Sequence, residues 1–76
     1  MSRMKYIMVD GNRPVIFLDT WFHDDMARMI GAKRITGAGF FTIVNGRAHC
    51  YGESASLGIK AHKDDSYWVN NALEIE

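Results

Sequence analysis

The stretch GAGFFTIVNGRAHCYGESASLGI, Gly37 to Ile59, decides the fold of this 76-residue chain. Its Asn45-Gly46 pair suits a two-residue hairpin loop, because both central residues of a type I′ turn need positive φ. Such a loop pairs Val44 with Arg47, Ile43 with Ala48, Thr42 with His49, Phe41 with Cys50 and Phe40 with Tyr51. One face of the hairpin is then apolar: Phe41, Ile43, Ala48 and Cys50. The other carries Phe40, Thr42, Val44, Arg47, His49 and Tyr51, a mixed surface suited to exposure or binding. Directly off that strand comes Gly52-Glu53-Ser54-Ala55-Ser56-Leu57-Gly58, a short polar segment between glycines. Two readings of it stay open: an anion cradle of backbone N–H groups and hydroxyls, or an ordinary turn in which serines bond backbone. It lacks the Lys-Ser/Thr end of a phosphate-binding loop and opens no helix.

Working outward, Tyr6 to Leu18 reads as a first hairpin with turn chemistry in Asp10-Gly11-Asn12-Arg13. A loop centred on Gly11-Asn12 pairs Val9 with Pro14, Met8 with Val15, Ile7 with Ile16 and Tyr6 with Phe17. Ile7, Val9, Pro14 and Ile16 then share one face, and Tyr6, Met8, Val15 and Phe17 the other. Both faces are apolar, which predicts helices on one and a second copy of the chain on the other. A helix is expected from about Trp21 to Ile30, capped by Asp19-Thr20 and stopped by Gly31, with Phe22, Met26, Met29 and Ile30 as its buried stripe. A short strand follows over Leu57 to Ala61. A last helix runs from Asp64 or Asp65 to about Leu73, with Val69, Ala72 and Leu73 inward. The class predicted is α+β: a small antiparallel sheet of about five strands with two helices, in the order ββαβββα.

Composition narrows the functions. A chain this short makes one domain, 1–76, whose core is thin. The residues before Lys5 read as a flexible, alternative or expression-derived start. Hydrophobic residues make up 47% of the sequence, too many for a disordered chain. Nine basic and nine acidic residues cancel, which argues against a nucleic-acid binder or an acidic DNA mimic. Arg3, Lys5, Lys33, Arg34, Lys60 and Lys63 could form a basic rim, although lysines at sheet edges also simply block aggregation. The single cysteine, Cys50, fits a reducing compartment, and no apolar run is long enough to span a bilayer. A cytoplasmic protein without membrane association is expected.

Catalytic and metal chemistry find little support. His23-Asp24-Asp25 and His62-Lys63-Asp64-Asp65 coincide with helix starts, where capping and dipole effects account for the aspartates. No metal and no cofactor is expected. His49 and Cys50 are neighbours on a strand, so their side chains diverge and cannot form a dyad. Cys50 reads as a core thiol. His49, Glu53 and Ser54 supply groups for acid–base or nucleophilic work, but no spacing orients them. Trp21, Tyr67 and Trp68 lie near helix starts, and an exposed tryptophan would be an interface anchor.

The segments KYIMVDGNRPVIF and AGFFTIVNGRAHCYGESASLGIKAHKDDS resemble a group of short uncharacterised proteins of bacteria and their phages. Cys50-Tyr51-Gly52-Glu53-Ser54 and Ser56-Leu57-Gly58 carry the resemblance. It implies an origin and no transferable activity; small proteins of phage origin are often inhibitors of host defence, anti-CRISPR proteins among them. The function expected is therefore a non-enzymatic binding protein acting on a host protein, with Arg47, His49, Tyr51, Glu53, Ser54 and Ser56 as contacts and a homo-oligomer, first a dimer, as its form. The alternative is an oligomeric protein that sequesters a small molecule or nucleotide at the Gly52 to Gly58 segment.

Overall fold

The computed structural model describes residues 3–74. Its elements are β1 (Met4–Val9), β2 (Arg13–Leu18), α1 (His23–Ile30), β3 (Ile35–Val44), β4 (Arg47–Tyr51), β5 (Glu53–Ser54), β6 (Ile59–Lys60) and α2 (Asp65–Ala72). The α+β class agrees with the sequence reading, and the order of elements agrees but for one additional short strand, β5, between the helices. Four antiparallel strands form one sheet in the order β2-β1-β3-β4. The strand expected near Leu57 is β6, and it pairs with β5 in a separate two-stranded ribbon instead of joining the main sheet. Met4 opens β1, and the Arg3 N–H donates to Asp19 Oδ2 at 3.0 Å, so the start expected to be flexible is held from Arg3 onward. Residues 1–2 lie outside the described residues.

The second hairpin has the register that Asn45-Gly46 predicts, pair for pair from Val44–Arg47 to Phe40–Tyr51. Asn45 has φ 52° and Gly46 φ 78°, as the tight turn requires. In the first hairpin the register differs by one residue: Tyr6 faces Ile16, Ile7 faces Val15, and Val9 faces Arg13. Here the loop is Asp10-Gly11-Asn12, with positive φ at Asp10 and Gly11 and an Asn12 N–H to Val9 carbonyl bond of 3.3 Å. Moving the loop by half a step exchanges the faces of every β2 side chain. Ile16 therefore joins Tyr6 and Met8, while Val15 and Phe17 join Ile7 and Val9.

Alternate residues of β1 feed two cores. Tyr6 and Met8 pack with Phe41, Ala48 and Val69 under α2. Ile7 and Val9 pack with Phe17 and Ala27 under α1. The two helices thus cover opposite faces of the sheet. This corrects the expectation that a second copy covers one face of the first hairpin, since both are covered within one chain.

The helices also present other residues than periodicity suggested. α1 begins two residues late, with extended Phe22 as its N-cap and no side-chain cap, so Asp19 and Thr20 do not cap it; Asp19 instead accepts from the Arg3 N–H. Gly31 does stop it, at φ 68°. His23 and Ala27 are its buried residues, whereas Phe22, Met29 and Ile30 are exposed. In α2, Asp65, Val69 and Asn70 are buried, while Ala72 and Leu73 are exposed. The Asn70 side chain meets β4 at the sheet edge. Its Oδ1 accepts from the Ala48 N–H at 2.8 Å, and its Nδ2 donates to the Ala48 carbonyl at 2.9 Å. One turn earlier, Ser66 Oγ accepts from the Cys50 N–H at 2.9 Å. Helix side chains thus occupy backbone groups that an open edge strand would otherwise offer to another chain.

Candidate functional site

One cross-strand row runs the width of the sheet on the α1 face: Phe17, Lys5, Phe40 and Tyr51 are successive partners on β2, β1, β3 and β4. A lysine in the middle of an apolar row, on a central strand, is chemically out of place. Lys5 is only 9% exposed, so its role is not the edge protection or basic rim that its sequence context suggested. Its Nζ donates to the Trp21 carbonyl at 2.7 Å and lies 5.5 Å from the centroid of the Phe22 ring. Among the described residues no carboxylate stands within ion-pair distance of it.

Lys5 forms part of the lining of an open cleft of about 320 Å³, between the start of α1 and the β5–β6 ribbon. The other principal lining residues are Phe22, His23, Phe40, Glu53 and Ser56. His23 forms the floor. It stands edge-on to Phe17 and Phe40, with ring centroids 5.5 and 5.6 Å away. Its Nε2 meets the Gly39 carbonyl at 2.8 Å, so that nitrogen carries the proton. Burial pushes the His23 pKa below the ordinary histidine value, a fall opposed by the Gly39 bond and reinforced by the charge of Lys5. The imidazole is therefore neutral near pH 7.

The structure divides the six expected contact residues. Glu53 and Ser56 are in the cleft wall. Ser56 Oγ also accepts from the Asp24 N–H at 3.3 Å, tying the ribbon to the first turn of α1. Tyr51 stacks on Phe40 at 5.9 Å beside the cleft, with the Arg3 guanidinium 4.3 Å from the Phe40 ring centroid. Arg47 and His49 are exposed further along the same face of β4. Ser54 is a correction: it is wholly buried and cannot touch a partner. Its Oγ accepts from the Leu57 N–H at 3.1 Å and its carbonyl from the Gly58 N–H at 2.8 Å, which makes it the clasp of the turn. Of the two readings of Gly52 to Gly58, the turn describes its backbone, while Glu53 and Ser56 carry the cleft. Lys5 and Phe22 escaped the sequence reading as site residues, and Phe40 was placed only on the mixed face of the second hairpin. The one available signal was a lysine heading the apolar run Tyr6-Ile7-Met8-Val9.

Under α2 lies a second polar group. The Tyr6 hydroxyl donates to Asp65 Oδ2 at 2.6 Å, and the same oxygen accepts from the His62 N–H at 2.8 Å. Gly37 makes room for this carboxylate, which a Cβ at that position would strike. Burial, and then the bond to Asp65, push the Tyr6 pKa far above the ordinary tyrosine value. Cys50 is half-buried beside this group, and burial raises its thiol pKa. A protonated phenol and thiol in a packed core are structural groups, not nucleophiles. His49 points to the opposite face of β4 from Cys50, as strand alternation requires. Among the described residues no three His, Cys, Asp or Glu side chains converge as metal ligands, and no helix is long and apolar enough to cross a membrane.

No family model, curated protein or solved structure matches the chain.

Proposed function

We propose that this is a non-enzymatic binding protein that acts through protein–protein contacts made by the outer face of α1. The observation that carries the reading is the direction of that helix's apolar stripe. Phe22 is 67% and Met29 64% exposed, with Trp21 and Ile30 also open. Both sheet faces have their own cover, so these side chains are surplus to the chain's core. Trp21 and Met29 flank a shallow depression that also holds Asp25 and Arg28, which pair with each other. Phe22 and Met29, seven residues and so about two turns apart, with charges beside them, fit the way a helix seats in a partner's groove. Tryptophan and phenylalanine are also the residues that concentrate binding energy at interfaces.

The more specific version is an inhibitor that occupies a surface of a bacterial defence complex, suggested by the small size of the chain and by the phage origin that its resemblance implies. Under this reading the Arg47, His49 and Tyr51 face of β4 flanks the contact and α1 is its centre. A second copy of the chain can use the same face, which makes α1, and not the first hairpin, the seat of a homodimer. The test compares Phe22→Ser/Met29→Ser with Tyr51→Ala/Glu53→Ala for capture of a host protein and for mass by light scattering. The α1 pair should abolish capture or dimer formation with an unchanged circular dichroism spectrum, and the β4 pair should weaken it less. Capture that survives the α1 pair would overturn the assignment.

A further inference from the structure

A buried ammonium without a counter-ion is expensive, because desolvation is repaid only by good pairing. Lys5 spends one N–H on the Trp21 carbonyl and leaves two with no acceptor among the described residues. A methionine or leucine would fill this place in an apolar row more cheaply. The position does have an opening: the cleft of about 320 Å³ that Lys5 lines. That volume is at the small end of ligand sites. On the cleft's walls are two phenyl rings, Phe22 and Phe40, one hydroxyl, Ser56, and one carboxylate, Glu53.

We propose that this cleft binds a small aromatic carboxylate that also carries an amine, the chemistry of a free aromatic α-amino acid. Lys5 takes the carboxylate, Glu53 the ammonium, and the ring lies on Phe22 and against the edge of Phe40, whose ring already carries Arg3 and Tyr51. One cation and one anion in the cleft balance a zwitterion. A phosphate dianion would keep one negative charge that Lys5 cannot balance and would meet repulsion from Glu53. The site is complete within one chain, and it shares with the proposed contact Phe22 and, at the contact's flank, Glu53.

The probes are L-phenylalanine, 3-phenylpropionate, phenethylamine and adenosine monophosphate, titrated calorimetrically into the full-length protein. Phenylalanine should bind saturably and better than either single-charge analogue. Lys5→Met should weaken phenylalanine at least tenfold while leaving the melting temperature unchanged or higher, since it removes an unpaired buried charge. Glu53→Gln, at an exposed position, should weaken phenylalanine and strengthen 3-phenylpropionate. Three results would each overturn the proposal: no saturable binding of phenylalanine up to about 10 mM, a range that covers even very weak sites; undiminished binding to Lys5→Met; or tighter binding of the nucleotide than of the amino acid.

Discussion

Replacing Asn70 with leucine removes an amide that serves as a substitute strand for β4. Three hydrogen bonds go with it: from the Ala48 N–H at 2.8 Å, and to the Ala48 and Ser66 carbonyls at 2.9 and 2.7 Å. Ser66 is a helix residue whose carbonyl also faces the Asn70 backbone N–H, so its loss is partial. Ala48 loses both of its outward partners in a place that is 1% exposed. Each buried backbone group left unpaired costs about 1–3 kcal/mol, for about 2–6 kcal/mol together. A chain of 76 residues has in all roughly 4–11 kcal/mol of stability at ordinary values per residue. The variant should therefore be close to unfolding, with a melting temperature lower by about 4–8 °C for each kcal/mol. Urea titration followed by circular dichroism measures the difference. Asn70→Asp separates the hydrogen bonds from the packing. It keeps an acceptor for the Ala48 N–H but turns a second oxygen towards two carbonyls, so it should be destabilised at pH 7 and recover on acidification as the protonated carboxyl regains a donor. The leucine variant should show no such recovery. A loss below about 1 kcal/mol for Asn70→Leu, the size of an ordinary surface substitution, would refute the account of β4 as an edge completed by α2.

Two further tests address the buried groups. Because burial lowers the folded-state pKa of His23 below the ordinary 6.5, the unfolded chain takes up a proton that the folded chain declines. Stability from this group is therefore present above about pH 6.5 and lost as the pH falls towards the lowered value. Melting temperature measured from pH 7.5 to 5 should drop in the wild type and drop less in His23→Gln; parallel curves would refute this role for His23. Tyr6→Phe deletes the 2.6 Å bond to Asp65 that joins the first strand to the last helix and should cost about 1.5–3 kcal/mol, the range for hydrogen bonds to charged groups. A denaturant midpoint equal to that of the wild type would show the hydroxyl to be dispensable.

The second hairpin was legible because its determinants are local. Asn45 and Gly46 accept positive φ at little cost, and a two-residue loop leaves only one register. The first hairpin was not, because Asp10-Gly11-Asn12-Arg13 permits loops of different length. Two apolar faces give no penalty for a slip of one residue, so the alternation of β2 could not choose between them. The helix stop at Gly31 followed from φ in the same way as the tight turn. In α1, Phe22, Met26, Met29 and Ile30 had the right spacing for a buried stripe, yet of these only Met26 packs against the core, and the helix rests chiefly on His23 and Ala27. Small Ala27 allows a close approach to the sheet, and His23 finds an acceptor in the Gly39 carbonyl.

The site shows the same division. Glu53 and Ser56 were visible as a polar segment leaving a strand, since that depends only on neighbours in the chain. Ser54 looked identical in sequence, and only the fold of the turn sends its hydroxyl inward to Leu57. Lys5 became a site residue when β2 and β3 placed Phe17 and Phe40 on either side of it and α1 closed above. By itself, then, the sequence determined the α+β class, the order of elements apart from the short strand β5, the register of the Asn45-Gly46 hairpin and the end of α1. These follow from backbone preferences spanning a few residues. Tertiary structure alone decided which helix covers which face, that α1 turns phenylalanine and methionine outward, and that a lysine is enclosed beside an open cleft. Those outcomes depend on contacts between residues far apart in the chain, where shape and desolvation outweigh local preference.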